Sequence, residues 1–175
     1  DTGAFLSRIE SPDAAAGEHF GASLAASGET LIVGCPDDEG KGAAYIYNIV
    51  SGAFTKVVPT QRQAAERFGH SVAMEYDYAV IGAPDRDFGA GSAFLYRVST
   101  GQIVSQFTSL TPAPYDNFGY SVAIRGASIA IGEPGDQGES GSVFVTRRPS
   151  LSVELVNDSG QSLGQNAQVQ EGRDA

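Results

Sequence analysis

The sequence predicts an all-β protein made of the repeated four-stranded sheets of a β-propeller, and two observations support this prediction. First, a segment of 17 residues occurs three times without insertion or deletion, at 20–36, 68–84 and 118–134. Second, each copy is followed by short apolar runs in the same order. A period of 48 to 50 residues indicates an array of equivalent units, each too small to bury its own apolar face.

The first two strands of each unit lie inside the repeated segment. Every copy opens with Phe-Gly, continues through a Ser-aliphatic-Ala triplet and ends in Gly-x-Pro. We expect the triplet to begin one strand and the run into Gly-x-Pro to form the next, because proline cannot donate to a ladder and ends a strand. Turn residues between these strands favour hairpins. The turns are residues 27–30, 75–78 and 125–128, and the prolines are Pro36, Pro84 and Pro134.

The third and fourth strands follow the proline. Alternating aromatic and aliphatic runs occupy residues 44–47, 93–96 and 143–146. In the first two repeats a Ser-Gly or Thr-Gly turn, at 51–52 and 100–101, then precedes another apolar stretch. Four short antiparallel strands at this period are typical of a propeller blade.

Two repeated small residues have a structural interpretation. A glycine beside the bulky phenylalanine allows close approach of backbone from the neighbouring sheet, while the ring fills the space between sheets. A serine that recurs in every unit suits a hydroxyl bonded to the backbone better than a nucleophile. The glycines are Gly21, Gly69 and Gly119, and the serines are Ser23, Ser71 and Ser121.

The repeats divide the chain into units at about 17–63, 65–113 and 115–148, preceded by a predicted orphan fourth strand at 1–12. That orphan strand is expected because residues 2–6 resemble the fourth-strand starts at 51–55 and 100–104. Residues 149–175 are a last strand or linker, or the start of a following β module. Since propellers have about four to eight blades, we expect either a segment of a longer protein or a ring assembled from several chains.

The repeated segment resembles the FG-GAP repeat of the integrin α-subunit β-propeller, which is also found in other extracellular proteins. The second copy matches fully through Phe68-Gly69 and Gly82-Ala83-Pro84, whereas Gly34-Cys35-Pro36 and Gly132-Glu133-Pro134 depart at the middle position. The resemblance implies a seven-bladed propeller that serves as a binding or adhesion platform rather than as a catalyst.

The resemblance also raises the question of calcium, which some blades of the family bind in an Asp-rich loop between the first two strands. Ca²⁺ needs several oxygen ligands converging from one such loop. The corresponding turns here are short and offer only Glu29 in the first copy and Glu75 and Asp77 in the second. We therefore expect no cofactor, and no calcium at the family's site.

Composition and chemistry exclude several classes of function. The net charge of −10 argues against nucleic acid, which requires a basic face, and no apolar run reaches the length of a membrane span. The only histidines, His19 and His70, occupy different columns of the repeat and have no third converging group. The lone Cys35 is expected to be a small packing residue. We therefore predict no catalytic residues and no metal ligands.

The loops after the prolines are the expected binding surface, because loops on a rigid scaffold commonly carry recognition. Solvated hairpin tips are an alternative explanation of their charge. Phe88 is the one aromatic residue in these loops that is expected to be exposed. The candidate binding residues are Asp37, Asp38, Asp85, Asp87, Phe88 and Asp136, and Asn157 begins an acceptor sequon for glycosylation.

These observations leave three functional hypotheses. The first is a non-catalytic extracellular or cell-surface propeller that binds other extracellular proteins, neighbouring subunits or glycans within a larger surface or filament protein. The second is a purely structural spacer of an extracellular assembly. The third is an accessory domain of an enzyme whose catalytic domain lies elsewhere in a longer chain.

Overall fold

Three antiparallel sheets follow one another along the chain in a computed structural model that describes residue 3, residues 7–13 and residues 15–149. In each sheet the spatial order of the strands equals their order in sequence. Blade 1 contains β1 (Ser23–Ser27), β2 (Thr30–Cys35), β3 (Ala43–Asn48) and β4 (Phe54–Val57). Blade 2 contains β5 (Ser71–Glu75), β6 (Tyr78–Ala83), β7 (Ser92–Arg97) and β8 (Gln102–Phe107). Blade 3 contains β9 (Ser121–Arg125), β10 (Ser128–Glu133) and β11 (Ser142–Arg147).

The predicted strands and turns of the three repeats are confirmed within residues 17–148. The first two strands of each blade are joined by two-residue turns, closed by the pairs Ser27 with Thr30, Glu75 with Tyr78 and Ser128 with Arg125. The second strand of each blade ends directly before its proline.

The predicted strands at the two ends of the chain lie only partly within the described residues. Residues 7–12 of the predicted orphan strand form no strand, and the rest of that prediction lies outside the described residues apart from residue 3. The interpretation of residues 149–175 also lies outside them, except at Pro149.

The blades stack through their first strands and their apolar faces. Strand β1 packs against β5, and β5 packs against β9. One apolar core lies between blades 1 and 2 and a second lies between blades 2 and 3, because alternate side chains of each strand point to opposite faces. The first core includes Ile32, Ile46, Phe68, Ile81 and Phe94, and the second includes Val80, Leu95, Phe118, Ile129 and Ile131.

The phenylalanines of the three Phe-Gly pairs occupy equivalent environments. Each ring packs edge-to-face on an aromatic ring of the third strand of its own blade, with centroid separations of 5.5, 5.5 and 5.7 Å. The rings of Phe68 and Phe118 are fully buried, whereas that of Phe20 is half-buried. The pairs are Phe20 with Tyr45, Phe68 with Phe94 and Phe118 with Phe144.

The glycine after each buried phenylalanine brings its backbone onto the preceding blade, as predicted. The Ser23 hydroxyl donates to the Gly69 carbonyl oxygen at 2.8 Å, and the Ser71 hydroxyl donates to that of Gly119 at 2.8 Å. A Cβ placed on Gly82 would overlap the Gly119 carbonyl oxygen. The repeated serine is therefore a structural donor between blades, and the glycine of Gly-x-Pro provides the space for the contact.

A recurring carboxylate two residues before Phe-Gly was not anticipated from the sequence. Glu18, Glu66 and Asp116 are almost fully buried. Glu18 accepts a hydrogen bond from the backbone N–H three residues earlier, at 2.9 Å, and Asp116 accepts the equivalent bond at 2.6 Å. Each bond closes the turn that leads into Phe-Gly, which satisfies a buried carboxylate with a backbone donor.

An ionic cluster in blade 1 joins the post-proline loop at Asp38 to Asp13, which precedes β1. Asp38 is fully buried, and its carboxylate accepts from Lys56 at 2.8 Å and from Arg62 at 3.1 Å. Lys56 also donates to Asp13 at 2.7 Å, and the Tyr45 hydroxyl lies 2.5 Å from Asp13. The hydrogen bonds from Lys56 and Tyr45 lower the pKa of Asp13 to about 2.

The close glycine contact predicts that Gly82→Ala destabilises the chain by about 3 kcal/mol, because the added methyl must displace backbone of blade 3. Urea unfolding of dilute protein measures this change. Gly132→Ala is the matched control, since a Cβ there meets only the hydroxyl of Ser121 and the β9 atoms beside it; we expect a change below about 1 kcal/mol. Equal effects of the two substitutions would contradict the proposed contact.

The ionic cluster predicts a pH-dependent contribution of Asp13 to stability. Because the folded-state pKa lies below the ordinary carboxyl value, this contribution is present above about pH 4 and is lost as the pH falls toward 2. We expect Asp13→Asn to lower the free energy of unfolding at pH 7 by less than about 1 kcal/mol, since the carboxylate is half-exposed.

Urea unfolding at pH 7 and at pH 2 measures this difference. At pH 2, where Asp13 is about half protonated in the folded state, most of the difference should be gone, and a difference as large as that at pH 7 would contradict the interpretation. Glu10→Gln, in the same segment, should stay within about 0.5 kcal/mol of wild type at pH 7.

Candidate binding surface at the post-proline loops

The three post-proline loops lie at the same edge of their sheets, because each follows the second strand of a blade. Each contains a short helical turn with successive residues of positive φ, two in blade 1 and three in each of blades 2 and 3. Such left-handed backbone is unfavourable for residues with a side chain. The turns are Asp38–Gly40, Arg86–Gly89 and Asp136–Glu139.

Phe88 stands at the most unusual position of these loops. The equivalent residues of blades 1 and 3 are Gly40, with φ of +66°, and Gly138, with φ of +68°. Phe88 adopts a φ of +60° and is 90% exposed. A bulky side chain in this conformation costs about 1–2 kcal/mol, and an exposed ring regains almost nothing by packing. Stability therefore does not explain why this position carries phenylalanine.

The loop that carries Phe88 is held on both sides. Gln63 and Asp87 exchange two hydrogen bonds, of 2.7 and 3.1 Å, one of them from the Asp87 backbone. Arg86 is buried, pairs with Glu66 and lies over the ring of Phe94. These contacts fix the loop, so the ring of Phe88 is presented from an ordered backbone.

Tyr115 lies beside Phe88 and was not among the predicted site residues. Its backbone N–H donates to the Phe88 carbonyl oxygen at 3.3 Å, and its side chain is 78% exposed. Its φ is +70°, which is again unusual for an aromatic residue. Two exposed aromatic residues are thus joined through their backbones at the rim between blades 2 and 3, and we call Phe88 and Tyr115 the aromatic patch. The sequence signal was an aromatic residue directly before the recurring carboxylate.

The predicted carboxylates are in dissimilar environments. Asp38 differs from the expected solvated loop residue, because it is fully buried and neutralised by Lys56 and Arg62. Its two cationic partners come from β4 and from the link that joins each blade to the next, here residues 58–70. The sequence of the loop alone does not reveal them. This carboxylate is therefore occupied within the fold.

The other four carboxylates remain at the surface to different extents. Asp37 bonds to His19 at 2.7 Å, and Asp85 accepts from Asn117 of the link to blade 3 at 3.3 Å. Asp87 is exposed and Asp136 is half-buried. Asp85 and Asp87 lie in the same loop as Phe88, and Asp136 follows Gly135, whose backbone adjoins that of Tyr115. Asn157, the predicted glycosylation acceptor, lies outside the described residues.

Cys35, Glu18 and Asp38 bring potential ligand atoms within 4.8 Å of one another. Burial raises the pKa of the Cys35 thiol to about 12, so the thiol stays protonated at neutral pH. It lies 3.2 Å from the Glu18 carbonyl oxygen, within hydrogen-bond distance. Because Asp38 already has two cationic partners, this group is a packed polar cluster of blade 1.

The two histidines lie in different parts of the fold. His19 bonds to Asp37 within the first repeat, whereas His70 packs against Tyr120 with ring centroids 4.7 Å apart. Burial of His70 lowers its pKa, with a smaller effect from the charge of Arg67. Both rings therefore participate in contacts between chain segments.

The turns at the opposite edge do not fit the calcium site that the resemblance brought into question. Asp77 accepts hydrogen bonds from the backbone and hydroxyl of Ser99, at 2.6 and 2.9 Å. The Glu75 carboxylate accepts from the Gly126 N–H of the next blade. Both carboxylates of the blade 2 turn are thus already used as acceptors, and the blade 1 turn offers Glu29 alone, whereas a Ca²⁺ loop requires several converging oxygen ligands.

None of the helices among the described residues is long and apolar enough to cross a membrane.

Comparison with known proteins places the chain in a family. No curated protein matches the chain. The β-propeller domain of Cps50 (Swd1) from Myceliophteria thermophila is similar in structure, with a TM-score of 0.44 and 12% identity. That similarity covers 67% of this chain and 35% of that chain, so this chain spans about a third of its length.

The family model described as the FG-GAP repeat matches residues 5–47, 53–96 and 104–146. These three matches cover most of the chain, and each includes the first three strands of one blade. The chain therefore belongs to the FG-GAP repeat family, and its sheets are blades of an FG-GAP β-propeller.

Proposed function

We propose that this propeller segment is a non-catalytic binding module, which recognises protein or glycan partners through the rim between blades 2 and 3. The single observation that carries the proposal is Phe88, a 90% exposed aromatic residue in a left-handed conformation that glycine occupies in the other two blades. Strained backbone and exposed aromatic rings are features found at recognition sites. The neighbouring Tyr115 extends the apolar contact area.

The charge around the patch supports a partner with a neutral or cationic surface. Asp85 and Asp87 lie in the same loop as Phe88, and the chain has a net charge of −10. Acidic groups at the rim of a contact favour association with a basic surface and disfavour nucleic acid. The proposed partners are other extracellular proteins, neighbouring subunits or glycans.

We place this module outside the cell or at the cell surface, as the family resemblance suggests. Antibody staining of intact and permeabilised cells tests the location. Staining only after permeabilisation would contradict it.

A structural spacer is the second candidate, and the buried charges of the loops favour it. Asp38 and Arg86 both point into blade packing instead of toward solvent. The two candidates differ at Phe88: a spacer gains nothing from an exposed ring, whereas a binding module requires it.

We further propose that binding requires no Ca²⁺. Titration calorimetry of the chain with CaCl₂ should give no stoichiometric heat, because Glu75 and Asp77 already accept hydrogen bonds and Glu29 is the single carboxylate of its turn. A 1:1 or higher stoichiometry per blade would contradict this part of the proposal.

The proposal predicts opposite effects of Phe88→Gly on stability and on binding. Glycine removes the left-handed penalty, so we expect the free energy of unfolding to rise by about 0.5 to 1 kcal/mol after the entropy that glycine gains in the unfolded chain. Binding of the partner should weaken by about tenfold or more, since the exposed aromatic contact is lost. Urea unfolding and biolayer interferometry measure the two changes.

Tyr76→Gly is the matched control. Tyr76 is also exposed, has a φ of +50° and stands where the other blades carry Gly28 and Gly126, but it lies at the opposite edge of blade 2. We expect the same gain in stability and unchanged binding. The partner is sought by screening labelled chain on arrays of extracellular protein domains and glycans. If no ligand distinguishes Phe88→Gly from Tyr76→Gly, the binding proposal is wrong and the spacer is favoured.

A further inference from the structure

The link between β8 and β9 has an unusual composition. Residues 108–114 read Thr-Ser-Leu-Thr-Pro-Ala-Pro, with three hydroxyl residues, two prolines and no charge. The link between blades 1 and 2 is different, because it has Gln61-Arg62-Gln63 where this one has Thr-Pro-Ala. Segments rich in Ser, Thr and Pro are typical acceptors of O-linked sugars. We call residues 108–114 the proline-rich link.

The middle of the proline-rich link faces solvent because of its position in the repeat. Thr111 is exposed and Leu110 is 85% exposed, whereas Ser109 is almost fully buried. Thr60 and Gln61 occupy the positions of Leu110 and Thr111 in the link between blades 1 and 2, and both are exposed although two blades follow them. The exposure of Thr111 therefore recurs within the chain and does not come from the end of the sequence.

The two links also differ in how they are held. Arg62 donates to the post-proline loop of blade 1 at 3.1 Å, and the carbonyl oxygen of Gln61 accepts from the loop of blade 2 at 2.8 Å. The proline-rich link has Pro112 in place of the arginine. Among the described residues, Thr111 makes only a local hydrogen bond, from its N–H to the Ser109 hydroxyl at 3.3 Å. Its backbone is therefore free to fit the cleft of an enzyme.

Of the three hydroxyl residues in the link, Thr111 is the most suitable acceptor. Ser109 is almost fully buried, and its hydroxyl already accepts a hydrogen bond. Thr108 is exposed but directly follows the last residue of β8. Pro112 disfavours helical backbone at the residue before it, so Thr111 is kept extended. The small Ala113 and the absence of charge leave space around the hydroxyl for a sugar donor.

A sugar on Thr111 would also cover apolar surface. The neighbouring Leu110 is 85% exposed, and an attached sugar is bulky and solubilising. Tyr115 lies four residues further along the chain, so its Cα is within about 14 Å of that of Thr111. A glycan at Thr111 therefore stands at the border of the aromatic patch, where it limits the directions from which a partner approaches.

We propose that Thr111 is the acceptor of an O-linked sugar, which a glycosyltransferase adds from a nucleotide-activated donor. The Thr111 Oγ attacks the anomeric carbon of the donor, and the bond from that carbon to the diphosphate breaks. The nucleoside diphosphate leaves with the electron pair and takes up the hydroxyl proton, so no group is oxidised or reduced. The inference rests on the extracellular location proposed above, because Ser/Thr/Pro-rich acceptors of this kind belong to secreted chains.

The experiment secretes the 175-residue chain from cultured mammalian cells behind an added signal peptide, and mass spectrometry measures the intact chain and its glycopeptides. Every chain carries Asn157→Gln, so that a sugar at the sequon does not contribute. We expect the mass of one or more sugars, located by peptide fragmentation at Thr111. Thr111→Ala should remove this mass. Pro112→Ala keeps the hydroxyl but frees the backbone, and should lower the occupancy of Thr111 severalfold.

Thr60→Ala is the matched control, because Thr60 is an exposed threonine of the other link that no proline follows. It should leave the sugar mass unchanged, and unfolding curves verify that each variant is folded. A secreted chain without sugar at Thr111 would overturn the inference, and so would equal occupancy of Thr60. Because the added signal peptide forces secretion, these outcomes do not depend on the natural location, which the staining of intact cells tests separately.

Discussion

The fold depends on the contact between one Phe-Gly segment and the glycine of the preceding blade. Gly82 leaves room for the carbonyl of Gly119, the Ser71 hydroxyl bonds to it, and Phe118 fills the space alongside. The parallel bridges of Gly42 to Phe68 and of Gly91 to Phe118 extend this contact into the loops. A blade-to-blade distance is thereby set by backbone atoms, which cannot yield as side chains do.

The repeat allowed most of the fold to be predicted from the sequence, because each element occurs three times in one register. Strand order, the proline stops and the roles of the glycine and serine columns all follow from local patterns. The environments of Asp38 and Arg86 could not be predicted, since their partners come from elements distant in sequence. Glu18, Glu66 and Asp116 recur at one position of the repeat, as the serines do. Their burial could not be predicted, because the position varies between Glu and Asp and lies in a polar segment outside the strands.

Of the candidate site, the sequence predicts the exposure of Phe88 but not the residues around it. Phe88 was conspicuous as an aromatic in an acidic loop, yet its significance comes from the backbone, which is left-handed at Gly40, Phe88 and Gly138 alike. Side-chain type alone does not reveal φ. Tyr115 contacts Phe88 because the link between β8 and β9 packs against the post-proline loop of blade 2. This contact arises from the stacking of blades and is not visible in the local sequence. The loops therefore combine two tasks: inward residues hold the next blade, and outward residues remain available to a partner.

The buried charge in the post-proline loops has opposite signs in blades 1 and 2, with consequences for how such repeats can evolve. Asp38 is neutralised by Lys56 and Arg62, whereas the equivalent Arg86 is neutralised by Glu66. If recombination moved the first loop into the second repeat, Asp38 would face Glu66 without a cation, and an uncompensated buried charge costs several kcal/mol. Repeats that look interchangeable in their Phe-Gly and Gly-x-Pro signatures are thus not interchangeable in order, and shuffled or duplicated descendants require compensating changes in the link.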